Sequence, residues 1–312
     1  MIKRIPTPIA GLMLALAALG NLIASYGSAY RYVLGGLSLI LMLLLCIKGI
    51  SMPEKLAGEF KNPLLASVMP TFSMGLMILA TYIKPYSATM AYGFWFSGLG
   101  LHIILILLFT KRHMLNLKIK SVYPSYFIVY VGIVVASVTA PAFDMVKWGQ
   151  AIFYFGFLSY LLLLPIVLYR VFIIKGLVEA SIPSLTIFAA PASLCLAGYL
   201  NSFQDKNMYI LGVLILLSLV MFIGVILQMP KMLGIKFYPS YSAFTFPFVI
   251  TGVAMKGLYG FLAAGGRQIS YLLYLVKFLE FWSLAIVIYV FVEYIKDIIS
   301  DKLSYSSSSP IN

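Results

Sequence analysis

Charge is what this sequence has least of. Of its 312 residues only 22 are Lys or Arg and 9 are Asp or Glu, together 10%. Acids so thinly spread offer no paired carboxylates for general acid–base work, and no nucleophile motif or metal-ligand pattern accompanies them. An enzyme is therefore not expected. Histidine is as scarce: His102 and His113 are not spaced as ligands, and His113 falls in a basic loop. The two cysteines, Cys46 and Cys195, lie inside apolar runs and read as small packing residues. Neither a disulfide nor a metal site is suggested, and no cofactor is implied. Hydrophilic runs long enough for a separate soluble domain are missing as well. The first apolar run lacks a small-residue cleavage site followed by a polar stretch, so it reads as a membrane span and not a cleaved signal.

What is present is overwhelmingly apolar. Hydrophobic residues make up 62% of the chain and the mean hydropathy is +1.02, far outside the soluble range. The expected fold class is an all-α integral membrane protein, with one transmembrane domain over residues 1–303 and a disordered, low-complexity polar tail over 304–312. Apolar runs of roughly 18–24 residues, the length a ~30 Å hydrocarbon core requires, suggest ten spans. They fall near residues 7–25, 32–50, 63–83, 88–110, 126–139, 150–171, 184–202, 208–227, 242–263 and 269–295. The fifth is short and is expected to extend in both directions. Short connections make neighbouring spans antiparallel, giving five helical hairpins.

Loop charges orient these spans. With the N-terminus inside, 15 of the 22 basic residues fall on the cytoplasmic side, from Lys3 and Arg4 through Lys48 and Arg170 to Lys302. Arg31, Lys84, Lys147, Lys206 and Arg267 fall on the other side, and Lys256 and Lys277 lie within spans. That asymmetry supports a multi-pass protein of the cell membrane with both termini cytoplasmic. The net charge of +13 then reflects loops facing anionic lipid, and nucleic acid is not an expected partner.

Odd and even spans differ in kind. Proline recurs near the start or middle of every odd span: Pro6 and Pro8, Pro63 and Pro70, Pro124, Pro191, Pro247. Among even spans only the sixth has one, Pro165. Membrane helices are richer in Pro and Gly generally, which is one explanation. The other is a five-fold repeat of hairpins whose kinked first helices ring a common axis, with straight Leu-rich second helices facing lipid. The ninth span is the sharpest case. Phe244-Thr245-Phe246-Pro247 places a proline directly after the second of two phenylalanines, which removes an N–H and crowds the carbonyl four residues back. Broken backbone in a membrane survives only where protein buries it or where it lines a watery cavity. Phe246 is thus a candidate plug, ordinary interhelical packing being the alternative.

These residues carry a resemblance. Pro6-Thr7 with Gly11, Asn62-Pro63 with Met69-Pro70-Thr71, Pro124-Ser125-Tyr126, Ala190-Pro191-Ala192 with Gly198-Tyr199, and Ala243-Phe244-Thr245-Phe246-Pro247 occur in order on the odd spans. In this the chain resembles the tellurite-resistance/dicarboxylate transporter family, which includes the bacterial TehA proteins and the slow-type anion channels of plant guard cells. The resemblance implies odd helices forming a pore within each protomer, a homotrimer, and a gating phenylalanine at Phe246. It also implies transport of small anions such as chloride and nitrate, or of C4-dicarboxylates or sulfite in other members. Where the family often has an aromatic before the first-helix glycine, this chain has Ala10.

Around Phe246 the expected pore lining is Gly11, Ala15, Pro70, Thr71, Ala190, Pro191, Phe244 and Pro247. Lys256, about 15 Å along the helix at ~1.5 Å per residue, is either a snorkelling side chain or part of an anion-attracting vestibule. Lys277 and Glu280, at i and i+3, are expected to pair or to meet neighbouring helices. A passive anion channel is the favoured function. A secondary transporter of dicarboxylates or another oxyanion is the alternative, and it usually needs a charged site at the midplane that the odd spans do not supply.

Overall fold

A computed structural model of the chain describes residues 4–300; the expected polar tail at 304–312, Lys3 and Lys302 lie outside the described residues. Eight helical stretches are long and apolar enough to cross a membrane: Ser28–Ser51, Pro63–Ile83, Ala88–Met114, Val146–Ile174, Glu179–Ser202, Met208–Leu233, Pro239–Ala264 and Ser270–Ile299. Two shorter apolar stretches, Ile9–Leu22 and Val134–Phe143, accompany them. No strand occurs among the described residues.

The stretches sort into two kinds, as the proline pattern predicts. The continuous ones are α2 (Ser28–Ser51), α6 (Ala88–Phe109), α9 (Val146–Leu168), α11 (Met208–Leu233) and α13 (Ser270–Ile299). They need little help beyond their caps: Ser87 accepts from the amide of Met90 to start α6, and Asn207 accepts from Tyr209 and Ile210 to start α11. The segmented ones each change geometry partway. α4 (Pro63–Val68), capped by Asn62, gives way at Met69 to α5 (Pro70–Ile83). α7 (Tyr126–Tyr130) stops three residues before α8 (Val134–Thr139). A 3-10 segment, Glu179–Ala189, leads into α10 (Ala190–Ser202), and another, Pro239–Phe244, leads into α12 (Phe246–Ala264). α1 (Ile9–Leu22) begins after the Pro6–Pro8 turn, and α3 (Pro53–Glu59) is a short helix outside the spans.

Prolines sit at three of these breaks, Pro70, Pro191 and Pro247, each within the first two positions of the helix that follows, where a missing N–H costs nothing. The fifth span breaks without one. Gly132 does the work there: a Cβ on it would meet the Ile128 carbonyl oxygen at 2.2 Å, so the tight turn between α7 and α8 accepts no side chain. This span starts at Tyr126 and gains length only at its far end, through the 3-10 turn Ala140–Phe143. It therefore extends in one direction and not, as expected, in both, because Pro124 and Ser125 are spent on the turn that begins it.

The segmented helices close on one another. α1 packs on α5, α5 on α8, α8 on α10, α10 on α12, and α12 returns to α1. The continuous helices lie outside this ring, α2 on α1, α6 on α5, α9 on α8 and α10, α11 on α10 and α13 on α12. Burial follows the division: the Glu179–Ser202 stretch is 83% buried, while Ala88–Met114, Val146–Ile174 and Met208–Leu233 are each 28% buried. The exposed side chains of the outer helices are aliphatic and aromatic, among them Leu107, Leu162, Leu216 and Leu227. Such a surface faces hydrocarbon and not water. The starts of α1 and of the segmented stretches meet at one cavity, on what is called here the near side, and the opposite end of the ring is the far side.

Two basic residues assigned to near-side loops are in fact buried clamps. Lys48 is 1% exposed; its ammonium donates to Thr7 Oγ1 (2.6 Å) and pairs with Glu59 (3.4 Å), tying α2 and α3 to the start of α1. Arg170 donates to the carbonyl oxygens of Lys120 and Lys175, holding two connections against the end of α9. Sequence gave no sign of either, since their partners come from elements far apart in the chain.

Candidate functional site

The backbone breaks sit around a common hollow. Inside the ring is a cavity of about 170 Å³, to which every segmented stretch contributes. Pro8 and Gly11 come from the start of α1, and Leu64, Leu65 and Val68 from α4. Thr71 and Met74 come from the first turns of α5, and Ile128 from α7. The first 3-10 segment adds Ala180, Ser184 and Ile187, and α10 adds Ala190. The second brings Tyr238 to Ser240, Ser242 and Ala243, and α12 brings Phe246 and Pro247. At roughly 10–15 Å³ of such space per enclosed water, there is room for a small ion with part of its water.

The lining contains no charged side chain. Its polar atoms are the hydroxyls of Thr71, Ser184, Tyr238, Ser240 and Ser242, and the serines and threonine mostly satisfy backbone carbonyls: Thr71 donates to Val68 and Ser184 to Ser181. What positive potential the hollow has comes from the backbone. α1, α5, α10 and α12 all place a lining residue within their first turn, so the partial positive charge of four helix starts converges on it.

Phe246 is the first residue of α12 and stands in this wall, 6% exposed. The backbone around it is held by Thr245, whose hydroxyl donates to the carbonyl of Ser242 (2.6 Å) and reaches that of Gly11 (3.4 Å). Gly11 is small for a reason: a Cβ there would lie 3.1 Å from Ser242, so the start of α1 and the 3-10 segment touch across the hollow beside the phenylalanine. Ser73, next to Met74 in the chain, meets the buried His102, whose two ring nitrogens are held by Ser73 Oγ (2.8 Å) and the Val129 carbonyl (3.1 Å).

Of the residues expected to line a pore, Gly11, Thr71, Ala190, Phe246 and Pro247 meet at this cavity. Ala15, Pro70, Pro191 and Phe244 are not among its walls; Phe244 instead packs on Tyr241 with ring centroids 4.9 Å apart. Lys256 neither snorkels free nor points alone at a mouth. Its ammonium is bound by the Leu22 carbonyl (2.6 Å), Ser25 Oγ (2.8 Å) and Glu280 (2.7 Å). Glu280, 3% exposed, also accepts from Tyr26 (2.6 Å) and pairs with Lys277 (3.5 Å), as the i, i+3 spacing predicted. Two ammonium groups share one carboxylate, so this cluster keeps a net positive charge, and its half-exposed member is Lys277. Sequence missed Pro239, Ser242 and Ala243, which line the cavity from the 3-10 segment before α12, because α-helical register does not carry across that change of geometry. On the other helices no residue anchored the register.

Comparison with known proteins agrees with this geometry. An uncharacterized transporter of Methanocaldococcus jannaschii is 26% identical over 182 residues, covering 54% of this chain and 53% of that protein. The chain thus spans about half the length of this curated relative. The family model for the voltage-dependent anion channels matches residues 5–295, nearly all that lies in the ring and its outer helices. With that match over the whole helical body, the chain belongs to the voltage-dependent anion channel family, among which the slow-type and TehA-like proteins are counted.

Proposed function

We propose that this protein is a channel for small monovalent anions such as chloride and nitrate, with the path running inside each protomer and Phe246 as its plug. In this reading the two shorter apolar stretches are spans as well, making ten in five hairpins, with the near side cytoplasmic. The homotrimer implied by the family resemblance belongs to the same proposal. The observation that carries it is the cavity wall: helix starts and hydroxyls but no charged side chain, with Phe246 standing among them. A neutral wall offers no deep binding site, so ions would pass according to how readily they shed water, and an aromatic constriction would close the path by blocking and dewetting it. The same wall speaks against a dicarboxylate carrier, because two carboxylates brought out of water need fixed cations close by.

Recordings in oocytes or planar bilayers test this directly. Phe246→Ala should raise anion current by about tenfold or more over wild type, the effect of opening a dewetted constriction. A mutant that reaches the membrane and stays as silent as wild type removes the plug reading. Proton- or sodium-coupled malate uptake would put the carrier in its place.

A further inference from the structure

We infer a small-anion binding site at the far mouth, built on Arg31. The residue stands in the first turn of α2, where its charge opposes the partial positive charge of the helix start. Three partners nevertheless fix it. Its Nε donates to Asn21 Oδ1 (2.8 Å), its Nη2 to the Thr81 carbonyl (3.1 Å), and its guanidinium lies over the Tyr82 ring at 4.3 Å. Asn21 is the last turn of α1 and Thr81 the last turn of α5, so the guanidinium bridges the far ends of two neighbouring ring helices whose near ends line the cavity.

No carboxylate among the described residues forms an ion pair with Arg31. That separates it from Lys84, paired with Asp144, and from Lys256, paired with Glu280, on the same side. Of the five guanidinium N–H groups two are engaged. The other three, both on Nη1 and one on Nη2, have no acceptor among the described residues. An aligned, uncompensated fork of N–H groups suits a planar oxyanion, which it can hold with two parallel bonds. Nitrate is the best fit and chloride a weaker one.

Five helices spaced 8–10 Å apart form a ring of radius roughly 7–9 Å; Arg31, on an outer helix, stands beyond that radius but bonds two ring helices, and the Debye length of about 30 Å at 0.01 M salt spans the remaining distance to the axis. The site would therefore load the conduit from the far side. This rests on the channel reading above, and the test separates the two.

In the Phe246→Ala background, Arg31→Gln keeps a side chain able to bond Asn21 and removes the charge. The half-saturating nitrate concentration on the far side should rise about three- to tenfold at low ionic strength, and the difference should shrink in high salt. Arg31→Lys should recover most of the loading but not the preference for nitrate over chloride. Lys147→Gln, a charge removed from the same side, should change nothing. An unchanged half-saturation in Arg31→Gln overturns the site. If Phe246→Ala itself carries no current, the channel reading falls, and thermal unfolding in detergent then decides. Nitrate against gluconate should raise the unfolding temperature of wild type and not of Arg31→Gln, and equal shifts in both would dispose of the site independently.

Discussion

At the scale of single residues, the chain matches its buried ions and leaves the cavity lining without charge. The Lys48–Thr7–Glu59 clamp shows how dependent such burial is on complete pairing. Breaking a buried pair by removing one partner costs about 3–5 kcal/mol, because the other charge stays behind unmatched, whereas replacing both with apolar groups is often close to neutral. Glu59 is partly exposed, so the lower end of that range applies. Glu59→Gln should thus lower the unfolding temperature markedly, and the double change Lys48→Met with Glu59→Met should recover most of the loss. A double mutant worse than Glu59→Gln would mean that the clamp stabilises by more than charge matching. Little of this was legible in the sequence. Lys48 looks like any basic residue at the end of a span, and only the folded chain brings Thr7 and Glu59 to it. Phe246 is the contrary case. A proline directly after a phenylalanine marks a helix start by covalent geometry alone, and such a signal survives without knowledge of any partner.

At the scale of elements, the alternation of segmented and continuous helices was readable because proline acts locally, and the structure bears out which helices are inside. Rotation about each helix axis was not readable. Ala15, Pro70, Pro191 and Phe244 lie on the elements that form the hollow but are not among its lining residues, and a few tens of degrees of rotation decide which side chain faces it. Contact between helices depends on equally fine detail. Tyr82 lies between Gly20 of α1 and Gly35 of α2, donates to the Ala17 carbonyl (2.6 Å), and would sit 2.4 Å from a Cβ on either glycine. Gly36, one residue on, has nothing within 4 Å. Gly35→Leu should therefore destabilise the fold by about 1–3 kcal/mol or more through overpacking, and Gly36→Leu should be nearly silent. Comparing the two by thermal unfolding in one detergent cancels their shared change in helix propensity. Equal effects would show that the α1–α2–α5 contact yields more easily than its geometry implies.

At the scale of the whole molecule, the loop charges predict which side faces the cytoplasm. With native Cys46 and Cys195 replaced by alanine, a cysteine at Lys118 should resist an impermeant maleimide added outside intact cells, and one at Lys147 should react. The reverse result would invert the protein and, with it, the side from which Arg31 is reached. The neutral wall has a further consequence for how the membrane potential can act. Moving one elementary charge across the membrane is worth about 2.3 kcal/mol per 100 mV, but a phenyl ring turning aside carries no charge through the field. The buried charged residues among those described, Lys48, Arg170 and Glu280, are each held by protein partners, and none is in the cavity lining. If Phe246 is the plug proposed above, such a door would sense voltage only through the ions that press against it, and steep voltage dependence would have to come from the permeating anion and not from the protein.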